Sequence, residues 1–315
     1  MTTARPLSRR TLQQRAAPLS TRNGVSPTCI VLPPGPWSRI ADFIAERLPA
    51  VSPAEWAKRM LAGDVLDESG IAVTAERHYE VGLRIFYYRA LEHEPPIPFE
   101  ETVLFQDEYL VVADKPHFLP VIPSGRYVQE TLLVRLKRKL GIDSLAPIHR
   151  IDRETAGLVL FSIQPSTRGR YQDLFRQRSV RKHYEAIAPW RPELKLPLVY
   201  RSRIEEDAMR FMQMREVDGE PNAETHIDVL EVRGDLARYA LSPVTGRKHQ
   251  LRAHCTALGI PILNDLIYPV LCAENSDDHT RPLQLLAKSI AFTDPISGEL
   301  RNFQSARTLN FAEPL

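Results

Sequence analysis

The sequence predicts an α+β protein, in which a small α/β unit precedes a larger domain built around a mixed sheet. Three observations lead there. Apolar residues recur at helical spacing from Ile40 to Leu61. From Val103 onward short apolar runs of strand type interleave with few helices and show no regular β-α alternation. The proline-rich stretch Glu94-Pro95-Pro96-Ile97-Pro98 separates the two patterns.

Residues 1–36 carry Arg5, Arg9, Arg10, Arg15 and Arg22 and no acid, amid Ser, Thr, Pro and Ala, and are expected to form a disordered basic arm. The same composition would suit an organelle transit peptide. Leu32-Pro33-Pro34-Gly35-Pro36 closes the arm. Ile40, Phe43, Ile44 and Leu48 then mark one helix. Ser52-Pro53 caps a second through Trp56, Met60 and Leu61, and Gly63-Asp64-Val65 starts a strand. A further apolar segment, Leu83 to Tyr88, completes a small domain over residues 37–92. In the larger domain, residues 97–315, strands are expected at Val103 to Phe105, Leu110 to Ala113, Leu158 to Ser162, Tyr184 to Ala188, Ile227 to Val232 and Arg238 to Leu241. Helices are expected at Thr131 to Leu140, Arg168 to Arg178 and His249 to Leu258.

Composition excludes several function classes. No apolar stretch approaches the length of a membrane span, and the N-terminus lacks the apolar core of a secretory signal. Cys29, Cys255 and Cys272 are far apart and show no metal-ligand spacing, which fits a reducing cytoplasm and argues against zinc. Neither a Walker loop nor a dinucleotide glycine fingerprint is present, so no nucleotide cofactor is expected. The 41 basic and 39 acidic residues leave a net charge of only +2, so any affinity for nucleic acid must come from charge distribution. That distribution is uneven: Arg135, Lys137, Arg138 and Lys139 form one basic run, and Arg168, Arg170, Arg176, Arg178, Arg181 and Lys182 another. Such polarity suits a phosphate-lined ligand.

The segment most suggestive of chemistry is His149-Arg150-Ile151-Asp152-Arg153-Glu154-Thr155-Ala156-Gly157. The apolar Leu158-Val159-Leu160-Phe161 that follows reads as a strand buried on both faces, with Thr155-Ala156-Gly157 as the turn entering it. Flanking guanidinium groups favour an ionised Asp152, which can attack or stabilise but cannot donate a proton. For an isolated Asp-Arg pair, a structural ion pair is the simpler reading.

Three segments in order change that balance: His149-Arg150-Ile151-Asp152, then Arg181-Lys182-His183-Tyr184-Glu185-Ala186, then Thr245-Gly246-Arg247-Lys248-His249-Gln250-Leu251-Arg252-Ala253-His254. Together with Asp114-Lys115-Pro116, the run Leu258 to Asp265 and Tyr268, they resemble the RluA-type pseudouridine synthases over most of residues 97–302. The resemblance implies a pseudouridine-synthase-like domain with a mixed, mainly antiparallel sheet. It also implies isomerisation of uridine in ribosomal or transfer RNA, with the bond from sugar to uracil nitrogen broken and remade to carbon five. Asp152 would attack the nucleoside, Tyr184 would stack on the target base and help remove the proton from carbon five, and Arg252 would hold Asp152 ionised. His149, Arg150, Arg153, Lys182, Arg247, His249 and Gln250 would contact substrate RNA, with Arg247 on phosphate and His149 serving also as a structural hydrogen-bonding partner. No metal, other cofactor or membrane is expected, and the chain is expected to be a cytoplasmic monomer.

Departures from the family pattern are Ile151 for leucine, Ala156 for serine, and Asn264 for a glycine, the last able to alter a turn. Glu274, Asp277 and Asp278 suggest an acidic surface loop. Residues 37–92 more weakly resemble an S-four-type RNA-binding module, diluted here by Asp42, Glu46, Glu55, Asp64, Asp67 and Glu68. Two alternatives stay open: an RNA-binding or ribosome-assembly protein without chemistry, and a nucleoside or RNA glycoside hydrolase using Asp152 and Glu154.

Overall fold

The computed structural model describes residues 18–49, 51–89, 94–207, 212–272 and 278–311. Arg5, Arg9, Arg10, Arg15, Glu274 and Asp277 lie outside them. The chain divides into two units, Met1–His93 and Glu94–Leu315.

The first unit holds β1 (Thr28–Val31), α1 (Ile40–Arg47), α2 (Pro53–Leu61), β2 (Val65–Asp67) and β3 (Arg84–Tyr87), with both outer strands antiparallel to β3. Ile40, Phe43 and Ile44 of α1 and Trp56 and Met60 of α2 are buried with Val65 and Ile85 of the sheet. Ser52 caps α2 by accepting the Glu55 N–H at 3.2 Å. Leu61 departs from the expected apolar pattern: it is 91% exposed at the end of the helix. The expected disordered arm is also corrected for its described part. Thr28–Val31 pairs with β3, while Val25 and Leu32 are buried, because β-branched and apolar residues in this stretch find a strand edge to complete.

The second unit holds β4 (Thr102–Gln106), β5 (Leu110–Lys115), α3 (Leu132–Leu140), β6 (Ala146–Pro147), β7 (Ala156–Ser162), α4 (Pro165–Arg176) and β8 (Arg181–Pro189). It continues through β9 (Leu198–Glu206), β10 (Met214–Val217), β11 (Ala223–Arg233), β12 (Leu236–Pro243), α5 (Gln250–Ala257), β13 (Leu285–Thr293) and β14 (Leu300–Gln304). The strands form one mixed sheet in the order β10-β9-β11-β12-β8-β13-β7-β5-β4, with β14 on β13 and β6 on β7. Among the described strands, only β7 and β13 run parallel. The unit begins at Glu94 rather than at residue 97, and the Glu94 carboxylate accepts backbone N–H groups of Val128, Gln129 and Glu130 at 2.6–2.9 Å.

The centre of the sheet is buried on both faces, which explains the unbroken apolar runs. Alternate residues of β5 and β7, namely Val111, Ala113, Val159 and Phe161, pack with Leu132 and Leu136 of α3. The intervening Leu110, Val112, Leu158 and Leu160 pack with Tyr171 of α4. Farther along, Ala186, Ile227, Tyr239 and Leu241 bury Leu251 and Cys255 of α5. All six expected strands of this unit and its three expected helices are present; α4 starts earlier than expected, at Pro165, which suits a first helical turn. Five strands were not expected: the two-residue β6, and β9, β10, β13 and β14, whose apolar residues are interrupted by polar ones such as Ser202, Lys288 and Asn302.

Candidate active site

Asp152 lies on the loop entering β7. The turn expected at Thr155-Ala156-Gly157 lies instead at residues 152–155, closed by the Thr155 N–H donating to the Asp152 carbonyl at 3.2 Å. Ala156 and Gly157 already belong to β7, where they pair with Leu286 and Ala287 of β13. Gly157 has φ of +109°, and a Cβ there would stand 2.3 Å from the Ala287 carbonyl oxygen. Glycine is needed at this point for close approach of the two strands.

The charge partner of Asp152 is Arg252, 100 residues away in sequence, whose Nη1 donates to Oδ2 at 3.3 Å. The neighbouring arginines do other work. Arg153 pairs with Glu154 at 2.8 Å and lies over the Tyr127 ring, and Arg150 is exposed at the rim. Arg252 is only 1% exposed, and its Nε and Nη2 bind the Asp265 carboxylate at 2.8 and 2.6 Å. Burial alone would lower its pKa, but the hydrogen bonds and charge of Asp265, helped by Asp152 and Glu154, raise it. Asp265 is fixed in turn by the Ile267 and Tyr268 N–H groups at 2.8 and 3.0 Å. Asn264 adopts φ of +62° immediately before it, so asparagine here takes the left-handed turn that a glycine would take.

Two cavities meet at this point. The smaller, about 240 Å³, is walled by Asp152, Tyr184, His249 and Arg252 among others. The larger, about 610 Å³, opens beside it and is walled by His149, Phe175, Arg176, Arg178 and Asn222. Arg150, Lys182, Tyr184, Thr245, Gly246 and Arg247 line both.

Tyr184 projects from β8 between β12 and β13, opposite Leu241 and Ala287. Burial, then the Asp152 charge, push its phenol well above its ordinary range. It therefore stays protonated at neutral pH, which suits stacking and disfavours the proton-accepting role that the resemblance added. Lys182 donates to the Thr245 carbonyl at 3.0 Å, and burial lowers its pKa to about 8. His249, at φ of +52°, places Nε2 3.9 Å from Asp152 and Nδ1 3.2 Å from the Tyr268 hydroxyl, with burial lowering its pKa.

Of three further residues expected to contact RNA, Gln250 and His149 line the cavities and are also bonded into the scaffold, and Arg153 stands back from both cavities. The Gln250 amide donates to the Glu224 carbonyl and Thr225, and its oxygen accepts from Thr245 and the Arg247 N–H, so its polar atoms are engaged within the fold. His149 accepts the Leu160 N–H through Nε2 at 3.2 Å and stacks on Phe175, and burial lowers its pKa to about 3.

Two further charged groups flank the Asp152 loop. Lys115 is fully buried at the end of β5 and donates to the carbonyls of Pro116, Leu119 and Arg153 at 3.0, 2.7 and 2.9 Å. It thus ties the Asp152 loop to the neighbouring turn; its sequence signal was its place in the Asp114-Lys115-Pro116 segment of the resemblance. Glu154 is held ionised: burial would raise its pKa, but Arg153 and Arg252 together lower it.

The family model for RNA pseudouridylate synthases matches residues 109–257. Over 225 residues the chain is 32% identical to the dual-specificity RNA pseudouridine synthase RluA of Haemophilus influenzae, covering 68% of this chain and 97% of that protein. It is 31% identical over 222 residues to the mitochondrial tRNA pseudouridine(32) synthase of Saccharomyces cerevisiae, covering 68% of this chain and 47% of the relative. Among solved structures, human RNA pseudouridylate synthase domain containing 1 superimposes with a TM-score of 0.56 at 22% identity, over 68% of this chain and 86% of that one. That likeness shows a shared fold.

Proposed function

Because the chain belongs to the RluA-type RNA pseudouridine synthases and isomerises uridine in RNA, we propose that Asp152 is its nucleophile, Tyr184 its base-stacking platform and Arg252 the charge partner that orients Asp152. The observation that carries this reading is the 3.3 Å contact between Arg252 and Asp152 at a cavity wall that also includes Tyr184. A flipped uridine in the smaller cavity would present its sugar to the carboxylate. Attack forms an ester between Asp152 and the sugar carbon and displaces uracil as an anion; the freed ring turns, and carbon five attacks the same sugar carbon, breaking the ester and releasing the Asp152 carboxylate. Carbon five then loses its proton and the displaced nitrogen gains one, so atoms and charge balance. Confinement keeps water from capturing the sugar. Extruding the nucleotide costs about a few kcal/mol, which phosphate contacts by Arg150, Lys182 and Arg247 offset.

The geometry disfavours the glycoside hydrolase alternative. Such enzymes keep one carboxylic acid protonated, whereas Glu154 is paired and ionised beside Asp152.

We place the substrate among ribosomal or transfer RNA stem-loops, residues 37–92 as an accessory RNA-binding module, and the chain in the cytoplasm as a monomer. Among the described residues no helix is long and apolar enough to cross a membrane. Transcriptome-wide pseudouridine mapping in a strain lacking this chain identifies the target, gel filtration tests the monomer, and deletion of residues 1–92 tests the module through RNA affinity.

The decisive experiment is Asp152→Asn and Asp152→Ala. Both are expected to abolish turnover, by about 1000-fold or more, while keeping RNA binding. Modification at wild-type rate by either variant overturns the assignment.

A further inference from the structure

We propose that the larger cavity is a second substrate subsite, which takes a nucleotide adjoining the target uridine, stacks its base on Phe175, and holds its phosphates with Arg150, Arg176, Arg178 and Arg247. The proposal rests on the RNA isomerase reading and assigns a site beyond the uridine pocket.

Four observations support it. The larger cavity shares walls with the uridine pocket, so a strand delivering a base to one passes the other. Its lining contains five cations, Arg150, Arg176, Arg178, Lys182 and Arg247, and no carboxylate. Arg176 is paired with Asp173 one helical turn back, but that pair is solvent-exposed and so holds it weakly. Gly246 lies on the shared wall, where even an added Cβ would approach nothing closer than the Lys182 Nζ at 3.8 Å, leaving room for a phosphate.

The third observation is an apolar plane. Phe175 stacks on His149 with ring centroids 4.7 Å apart and 22° between planes. The His149 ring is neutral, since burial lowers its pKa to about 3, and its Nε2 is already occupied by the Leu160 N–H. An aromatic plane rimmed by guanidinium groups is the arrangement that binds single-stranded nucleotides by stacking and charge. The fourth is a wall fixed from behind: the Asn222 amide is engaged at both ends by the Ile204 backbone, each bond at 3.0 Å, which holds that side of the cavity in place.

The test measures binding in the full-length chain carrying Asp152→Asn, so that affinity is read without turnover. Substrate RNAs carry an abasic nucleotide immediately 5′ or immediately 3′ of the target uridine. On one of the two sides, loss of the base is expected to weaken binding roughly tenfold. Phe175→Leu should cause the same loss on intact RNA and no further loss on that abasic RNA, and Phe175→Tyr should restore both behaviours. Thermal melting confirms that each variant is folded. Arg176→Gln and Arg178→Gln should each reduce the salt slope of binding by about one. Additive losses for Phe175→Leu and the abasic sites, no effect of either abasic site, or unchanged salt slopes overturn the subsite. Failure of the parent enzyme to modify any RNA would instead overturn the isomerase reading.

Discussion

Arg252 and Asp265 form a two-pronged ion pair, at 2.8 and 2.6 Å, that leaves one guanidinium nitrogen to face Asp152. The side chains of both partners are 1% exposed, and Asp265 is pinned by two backbone N–H groups. Asp265 thus fixes the direction of the charge that Asp152 meets, although it touches no part of the cavity itself.

Asp265→Asn should therefore lower kcat by about 100-fold with little change in the KM for RNA, since the guanidinium loses its fork and its aim. Asp265→Ala should also destabilise the fold by ~3–5 kcal/mol, because it leaves Arg252 buried with its main partner removed. Steady-state kinetics and urea unfolding separate the two effects. A raised KM at constant kcat would contradict the positioning role.

Lys182 sets a pH dependence. Its pKa in the folded chain is about 8, below the ordinary 10.5, so it is charged below that pH and loses its charge above it. RNA affinity should fall as pH rises from 7 to 9. Lys182→Arg, which stays charged, should remove most of that fall. Binding isotherms at several pH values for both proteins check it, and identical pH profiles would exclude Lys182 as the titrating group.

Lys115→Met should destabilise the second unit by ~3 kcal/mol near neutral pH, since three buried carbonyls lose their donor. Burial lowers the folded pKa of Lys115 from 10.5 to about 7, so the unfolded chain binds more protons between those values. Its contribution to wild-type stability therefore rises with pH from 7 toward 10.5. Urea unfolding at pH 7 and 9 should show that slope in the wild type and a weaker one in the variant.

Gly157→Ala places a methyl group against the Ala287 carbonyl at a positive φ and should cost ~3 kcal/mol or more. Because the same strand pair supports the loop of Asp152, turnover should fall with stability. A variant as stable as wild type, by calorimetry, would show that the strands can separate freely.

Asn264 offers a milder contrast. Asn264→Gly should leave stability within ~0.5 kcal/mol of wild type, whereas Asn264→Ala should cost ~1 kcal/mol or more at φ of +62°. Both variants lose the side-chain hydrogen bond to the Pro282 carbonyl at 3.1 Å, so the difference between them reports the backbone strain.

The strands and helices that sequence revealed are those whose burial is regular. In β5 and β7, both faces are covered, so the stretches Leu110 to Ala113 and Leu158 to Phe161 are continuously apolar and the run announces itself. In β9 and β13, burial is partial and polar residues break the pattern, so the strands emerge only from their pairing partners. The same limit applies to Thr28–Val31, which lies in a basic stretch and becomes a strand because β3 offers an edge. The structural role expected of His149 is met by its bond from the Leu160 N–H, whereas Gln250 looks like a polar recognition residue in a line of text, and its hydrogen bonds tie it into the scaffold as well.

By itself the sequence determined the family, the α+β class and three motif segments carrying Asp152, Tyr184 and Arg252, because residue type and local spacing are written along the chain. The Arg252–Asp152 pairing was implied only by the family resemblance, and tertiary structure decided the geometry in which these charges meet. Sequence placed Asp152 beside Arg150 and Arg153, but the fold turns Arg153 to Glu154 and brings Arg252 to Asp152 from a helix far along the chain. An ion pair depends on distance and burial in three dimensions, and neither is a property of neighbours in sequence.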